Sequence, residues 1–404
     1  MLDGTPVVGD ICVSNCSSDA AVWKTIMVGG QNRGGRGYYA LDITNPSAPA
    51  ALWEFTDDNL GYTYGNPIVT KLKNGTWVVI FASGYNNVSP GDGVGRIFVV
   101  NAFTGQLVTA VGGDGTISTG AGNSTTPSGL ARLSAWADSP GTDNTALRVY
   151  GGDLLGNLWR FDINGDVGTA GYDAQLLATF KDADDKLQPV TEAPQLGDIN
   201  GMAVVLVGTG KYLGVSDATI STQSFYAVKD ELTATGVGTP RTNARYVSQT
   251  IAKTTCPQNN NYCQLGQVIY TGSTNAVDWS SNDGWFFDFP QANERSHTDP
   301  QLVQGTLVFT TNIPELSACT SGGTSYQYYV DYRTGAPVEG ASPMIGINLG
   351  NALATRPVFV QLPNGKIVVL TRLSSGKTPT SKAPIGSMAG PTRRMSWREL
   401  SIDQ

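Results

Sequence analysis

The chain has 404 residues, of which 40% are hydrophobic and 15% are charged, so it can bury a large core and is not a disordered chain. Its net charge of −7 argues against nucleic acid and against an anionic membrane surface as partners. The apolar runs are strand-sized and far shorter than the roughly 20 residues of a membrane helix, so no membrane span is predicted.

The first residues, Met1 to Gly4, lack the charged and apolar segments of a signal peptide. We therefore expect the chain to be a fragment of a longer exported precursor. No linker long enough to separate two domains follows, which predicts a single domain over residues 1–404.

The five cysteines form two close pairs with one left over. Cys12 with Cys16 and Cys256 with Cys263 are predicted to form short-range disulfides, which indicates an oxidising compartment such as a periplasm or cell surface. A zinc site is the alternative for the first pair, but no second Cys or His pair lies nearby. Cys319 is expected to be a buried thiol or to have a partner outside the chain.

Short alternating strands bounded by Gly, Asn, Asp and Pro recur along the chain, whereas helical periodicity is hard to find. Successive copies of one strand lie 43 to 67 residues apart, and they end at Asp42, Asn101, Asp162, Lys229, Asp288 and Asp331. Each interval can hold one four-stranded blade, so the spacing predicts an all-β propeller. The Asp or Asn that ends a copy is expected to close the following turn by accepting backbone amide hydrogen bonds.

The C-terminal part is predicted to contain a surface loop over residues 374–392, because Pro, Gly, Ser, Thr and Lys dominate it. A last strand over residues 394–400 is expected to complete a blade begun near the N-terminus. Closing the ring in this way would remove exposed sheet edges.

Three sequence motifs resemble those of a known family: GGDLLGNLWRFD from Gly151, GTGKYL from Gly208 and SWREL from Ser396. With them, essentially the whole chain is similar to the C-terminal domain of the PilC/PilY family of type IV pilus assembly and tip-adhesin proteins. The resemblance implies a modified β-propeller of about seven blades with quinoprotein-like repeats. It also implies export to the periplasm, cell surface and pilus tip (the fimbrium), and a role in pilus extension and cell adhesion. The implied partners are minor pilins and host surface receptors.

Some members of the family have a calcium loop, which the resemblance places just ahead of Tyr150. This chain has Asp138, Asp143 and Asn144 there as candidate metal ligands, and Leu147 where an acidic ligand is expected. Calcium takes six to eight oxygens, so two carboxylates and one amide predict a weak site. An ordinary turn is the alternative.

A second acidic run, Asp162, Asn164 and Asp166, has alternate spacing suited to a calcium loop, but it lacks the Gly and Glu that complete one. A hairpin turn after a blade strand is the alternative interpretation, because the other copies of the repeat use this position for turns.

The rival functional class is a quinone-dependent periplasmic dehydrogenase-like enzyme, because its propeller blades carry similar Asp, Gly and Trp repeats. The adjacent cysteine pair of that class does not occur in this sequence. A Ser/His/Asp relay would need His297, the single histidine, which we expect to lie in a surface loop. We therefore predict no enzyme activity, no catalytic residue and no cofactor other than calcium.

Overall fold

A computed structural model describes residues 3–140, 142–167, 171–258, 260–315, 322–363 and 367–385. These residues form six β-sheets, and the only helices among them are two short 3₁₀ turns, Val215–Ala218 and Pro240–Thr242. Neither turn approaches the length of a membrane-crossing helix. The prediction of an all-β chain is confirmed.

The first three sheets are four-stranded antiparallel meanders, in which each strand pairs with the next one along the chain. Sheet 1 contains β1 (Val7–Ser14), β2 (Val22–Gly30), β3 (Tyr38–Asp42) and β4 (Ala50–Phe55). Sheet 2 contains β5 (Ile68–Lys71), β6 (Trp77–Ala82), β7 (Arg96–Asn101) and β8 (Thr116–Ser118). Sheet 3 contains β9 (Leu133–Trp136), β10 (Arg148–Gly152), β11 (Asn157–Phe161) and β12 (Ala174–Thr179).

The remaining sheets depart from this simple meander. Their strands are β13 (Gln195–Ile199), β14 (Met202–Gly208), β15 (Ser224–Lys229), β16 (Tyr246–Ser248), β17 (Ile251–Thr255), β18 (Val268–Gly272), β19 (Gly284–Asp288), β20 (Arg295–Ser296), β21 (Gln301–Val303), β22 (Thr306–Pro314), β23 (Gly323–Asp331), β24 (Met344–Gly350), β25 (Val358–Gln361), β26 (Ile367–Leu370) and β27 (Thr380–Lys382). Sheet 4 has the order β13-β14-β15-β19-β16, with β16 parallel to β19, and sheet 5 has the order β17-β18-β24-β23-β22-β20, with β21 also paired to β22. Sheet 6 has the order β25-β26-β27.

Successive sheets pack face to face, as the blades of a propeller do. An apolar cluster of buried side chains lies between each consecutive pair of sheets from 1 to 6. The first strands of sheets 1 to 4 lie beside one another, β1 beside β5, β5 beside β9 and β9 beside β13, and β13 lies beside β21 of sheet 5. These strands therefore line the axis around which the sheets are arranged.

Turns after the third strands follow the predicted chemistry. Asn101 Oδ1 accepts hydrogen bonds from the backbone amides of Phe103 and Thr104, each at 3.0 Å. Asp331 Oδ1 accepts one from Arg333 at 2.8 Å. In these two copies of the repeat, the side chain at the end of the strand closes the following turn, as predicted.

Tryptophan side chains on β4 and β19 form hydrogen bonds to the sheet next to their own. Trp53 of β4 donates its indole N–H to the Ala102 carbonyl at 3.0 Å, and Trp285 of β19 donates to the Tyr332 carbonyl at 3.0 Å. Each ring covers a turn glycine: a Cβ on Gly105, whose φ is +71°, would lie 2.5 Å from Trp53. Glycine is needed there both for the backbone conformation and for the close approach of the ring.

Two predicted elements need correction. The repeat copy that ends at Asp288 is β19, the partner of β15 in sheet 4, and not the third strand of a separate blade. Its pattern resembles a third strand because it too is buried between sheets. Within the predicted loop 374–392, Thr380–Lys382 forms β27, because the edge of β26 takes a pairing partner there. Residues 386–392, the predicted closing strand 394–400 and Cys319 lie outside the described residues.

Candidate functional site

A cavity of about 370 Å³ lies at one end of sheets 2 and 3, where the turn after β5 meets the loop between β9 and β10. Two lysines and two aspartates dominate its wall. The lining residues are Lys71, Lys73, Gly75, Asp138, Ser139, Asp143, Thr145 and Leu147. Two of the three predicted calcium ligands, Asp138 and Asp143, therefore face one space, with Asn144 next to them in the chain.

Each predicted ligand is engaged by the protein itself. Asp138 Oδ1 accepts the indole N–H of Trp136 at 2.8 Å. Asp143 Oδ1 accepts the Thr145 hydroxyl at 2.6 Å and lies 3.0 Å from Lys71 Nζ. Asn144 donates its side-chain amide to the Val69 carbonyl at 3.3 Å, which ties this loop to β5 of the neighbouring sheet.

Lys71 places a positive charge beside Asp143, one of the calcium ligands predicted from the sequence. The Thr145 hydroxyl and the Lys71 ammonium lower the pKa of Asp143, so this carboxylate is ionised and compensated within the protein. Calcium would have to compete with an ammonium group and would find the side chain of Leu147 in place of an acidic ligand. As arranged, the donor set does not match the coordination that calcium prefers. Nowhere in the described ranges do three His, Cys, Asp or Glu side chains form a metal-binding group.

The second acidic run is a turn that bridges two sheets. The buried Asp162 accepts the backbone amides of Asn164, Gly165 and Val167 at 2.9 to 3.0 Å. Asn164 accepts the Lys73 amide at 2.9 Å, and Asp166 pairs with the Lys73 side chain. The oxygens are thus used within the protein, which supports the hairpin interpretation.

Both predicted cysteine pairs lie at disulfide distance. The Cα atoms of Cys12 and Cys16 are 5.7 Å apart, and those of Cys256 and Cys263 are 6.0 Å apart. Cys12 lies on β1 opposite Trp23 of β2, so the first pair fixes the hairpin end of sheet 1.

A buried polar segment, residues 294–297, was not found by sequence reasoning. Glu294 is buried and accepts hydrogen bonds from three hydroxyl groups, those of Tyr270, Thr311 and Tyr328, at 2.6 to 3.0 Å. Burial raises the pKa of Glu294 to about 7, although the hydroxyl donors oppose the rise. The segment thereby holds, among the strands of sheet 5, a carboxyl group that is partly protonated at neutral pH.

The other side chains of this segment point to different neighbours. Arg295 is fully buried and donates to the carbonyl oxygens of Lys211, Asp217 and Ala218. Ser296 donates to the buried Glu192. Arg295 thus joins β20 of sheet 5 to the loop between β14 and β15, and Ser296 joins it to the segment between β12 and β13.

His297 lies in a loop, as predicted, but it is half-buried beside Asn312, with its Nε2 3.2 Å from the Asn312 side-chain nitrogen. Burial, helped by the nearby charge of Arg295, lowers the pKa of His297 to about 4. Asp299 instead pairs with Arg132 at 2.7 Å, so these side chains do not form a nucleophile–base relay.

The fold and its interlocking tryptophans define a β-propeller protein of the type whose blades repeat an acidic turn after the third strand. A family model described as the PilY1 beta-propeller domain matches residues 1–261. The chain belongs to this family.

Relatives and a solved structure agree with this assignment. A type IV pilus biogenesis factor PilY1 homolog of Xylella fastidiosa is 30% identical over 82% of this chain and 24% of its own length. Type IV pilus biogenesis factor PilY1 of Pseudomonas aeruginosa is 29% identical over 83% of this chain and 30% of its own length. The chain thus spans less than a third of each of these two relatives.

The crystal structure of the Pseudomonas aeruginosa PilY1 C-terminal domain superposes with a TM-score of 0.72 at 23% identity. The superposition covers 94% of this chain and 83% of the solved one. The propeller predicted from the repeat spacing is therefore confirmed as a fold.

Proposed function

We propose that this chain is the β-propeller part of a type IV pilus biogenesis factor and acts without catalysis. Its role is to support pilus extension through contacts with minor pilins at the pilus tip, and to take part in adhesion to host surfaces. The observation that carries the proposal is the family match over residues 1–261, together with relatives named as type IV pilus biogenesis factors. The comparisons give no support to the quinone-dependent enzyme.

The proposed location is the periplasm, followed by the cell surface and pilus tip. The two cysteine pairs at disulfide distance support it, because such bonds persist in oxidising compartments. Calcium is proposed to bind only weakly at Asp138, Asp143 and Asn144, since Lys71 already compensates the Asp143 carboxylate.

The test is an in-frame deletion of residues 1–404 from the gene that encodes the full protein. We expect few surface pili in a shear preparation and restoration when the intact gene is supplied in trans. The remaining part of the protein is followed by immunoblot, which separates loss of this domain from loss of the whole protein. Wild-type piliation and adhesion, with the remaining part exported at its normal level, would contradict the proposal.

A further inference from the structure

Three aromatic residues lie near one another where sheets 1 and 2 meet: the exposed Trp23 and Phe103 and the half-buried Trp77, here called the aromatic platform. Trp23 is 51% exposed and Phe103 39% exposed, which is unusual for side chains of this size. The ring centroids of Trp23 and Trp77 lie 5.7 Å apart with an angle of 77° between the planes. The two rings therefore present faces in different directions and do not form one flat surface.

The platform is held by covalent and backbone contacts. Trp23 lies opposite Cys12 in the β1–β2 pair, and Cys12 is bonded to Cys16. The Ala102 amide donates to the Trp77 carbonyl at 3.0 Å, which places Phe103 beside the start of β6. The backbone that carries the rings is thus held in place before any ligand arrives, which lowers the entropy cost of binding.

Polar groups border the platform. Lys24 Nζ lies 5.9 Å from the Phe103 ring centroid, and Lys24 also pairs with Asp42. Asp42 accepts the Thr44 amide at 3.0 Å. Donors and acceptors therefore stand beside the aromatic faces, with the charges of Lys24 and Asp42 compensating each other.

The size of the platform decides which class of ligand it suits. The exposed fractions of Trp23 and Phe103 amount to about 200 Å² if an aromatic side chain offers 150–250 Å². Addition of the neighbouring Val22, which is 44% exposed, leaves the total well short of the roughly 800 Å² that each partner contributes to a stable protein interface. The area matches one or two sugar rings instead.

We propose that the aromatic platform binds a neutral carbohydrate chain, with Trp23 and Phe103 stacking on the C–H faces of successive sugar rings. Trp77 stands at 77° to the Trp23 ring and supports it from one side. Lys24 and Asp42 supply the donor and the acceptor for sugar hydroxyls. This inference deepens the adhesion part of the proposed function and rests on it for its biological setting.

The experiment is a calorimetric titration of the 404-residue chain with three neutral tetrasaccharides, built of β-1,4-linked glucose, β-1,4-linked N-acetylglucosamine and α-1,6-linked mannose. We expect at least one to bind with a Kd below about 1 mM. Trp23→Ala and Phe103→Ala are each expected to raise that Kd by at least about tenfold, which corresponds to the loss of one stacking contact.

The matched control is Leu213→Ala, which removes an apolar side chain of similar exposure, 52%, from the loop between β14 and β15. It should leave binding unchanged, and the melting temperature of every variant reports whether it is folded. If Trp23→Ala is unfolded, Phe103→Ala carries the test. No heat with any of the three sugars up to about 10 mM, or equal binding by folded platform variants, would overturn the inference.

Piliation separates this inference from the proposed function. A strain carrying Phe103→Ala should assemble normal numbers of pili while its chain no longer binds the sugar. If the variant instead abolishes binding of a pilus protein and the wild-type chain binds none of the sugars, the platform is a protein contact and the inference is wrong.

Discussion

The buried Glu294 and the half-buried His297 should have opposite and nearly equal effects on how stability depends on pH. Burial raises the pKa of Glu294 from 4.5 to about 7 and lowers that of His297 from 6.5 to about 4. Each shift spans about 2.5 pH units, which corresponds to about 3 kcal/mol of unfolding free energy at about 1.4 kcal/mol per unit.

The direction of each pH effect follows from whether the folded or the unfolded chain holds the proton. The folded chain keeps a proton on Glu294 that the unfolded chain has lost above pH 4.5, so this contribution to stability falls as pH rises towards 7. The unfolded chain takes up a proton on His297 below pH 6.5 that the folded chain excludes, so this contribution falls as pH drops towards 4. Between pH 4.5 and 6.5 the two states differ by no net proton at this pair, and the two effects cancel.

Glu294→Gln removes the titrating carboxyl group of Glu294 but keeps an acceptor oxygen for Thr311 and Tyr328. Relative to wild type, the unfolding free energy of Glu294→Gln should rise by about 3 kcal/mol between pH 4.5 and 7. His297→Gln should show the opposite trend, gaining about 3 kcal/mol relative to wild type as pH falls from 6.5 to 4. Differences from wild type are used because the other titrating groups are common to both proteins.

The assay is urea unfolding followed by tryptophan fluorescence at half-unit pH steps from 4 to 8. Glu54→Gln, the same change at an exposed glutamate, is the matched control. If Glu294→Gln and Glu54→Gln give parallel differences from wild type across this range, the assignment of a protonated, buried Glu294 is refuted.

Two further predictions concern the stability of single elements. Arg160→Ala should lower the free energy of unfolding in urea by about 3–5 kcal/mol, because it leaves the buried Asp230 carboxylate without its cationic partner. The control Arg356→Ala, at an exposed arginine, should have little effect. A loss below about 1 kcal/mol for Arg160→Ala would show that Tyr150 alone satisfies Asp230. Replacement of Cys12 and Cys16 by serine should lower the free energy of unfolding by only about 2 kcal/mol, since the loop that the disulfide closes is short. Loss of the whole fold in a thermal melt of this variant would contradict a purely local role for the disulfide.

The sequence predicted those features that depend on neighbouring residues. Asn101 and the turn after it lie within four residues, and the contact that closes the turn is local, so the repeat could be interpreted correctly. The copy at Asp288 was misplaced because strands buried between sheets share one pattern, whichever position they take in a blade. Only pairing shows that β19 joins β15, and pairing is a long-range property.

The polar sites were harder to predict because their partners are remote in sequence. Glu294 meets Tyr270 and Tyr328, which lie 24 and 34 residues away, and it meets them because strand pairing brings β18, β23 and β20 into one sheet. In the same way, the sequence showed the incomplete acidic loop at Asp138 and Asp143. It could not show that Lys71, from the neighbouring sheet, pairs with that loop.

That pairing leads to a prediction about calcium that depends on one charge. With Lys71 in place, the wild-type chain should show little rise in melting temperature at about 1 mM calcium, the range in which weak extracellular sites bind. Lys71→Gln removes the ammonium beside Asp143 and leaves its oxygens facing the cavity with Asp138, so calcium should now raise the melting temperature more than magnesium does.

Lys73→Gln is the matched control for this prediction, because Lys73 lines the same cavity but pairs with Asp166. Its response to calcium should stay close to that of the wild-type chain. A clear rise for the wild-type chain at micromolar calcium, abolished by Asp143→Ala, would show that the loop is a true calcium site and that the ammonium of Lys71 moves aside. Equal calcium responses of Lys71→Gln and Lys73→Gln would show instead that removal of the Lys71 charge does not strengthen calcium binding. The missing acidic ligand at Leu147, and not the lysine, would then limit binding.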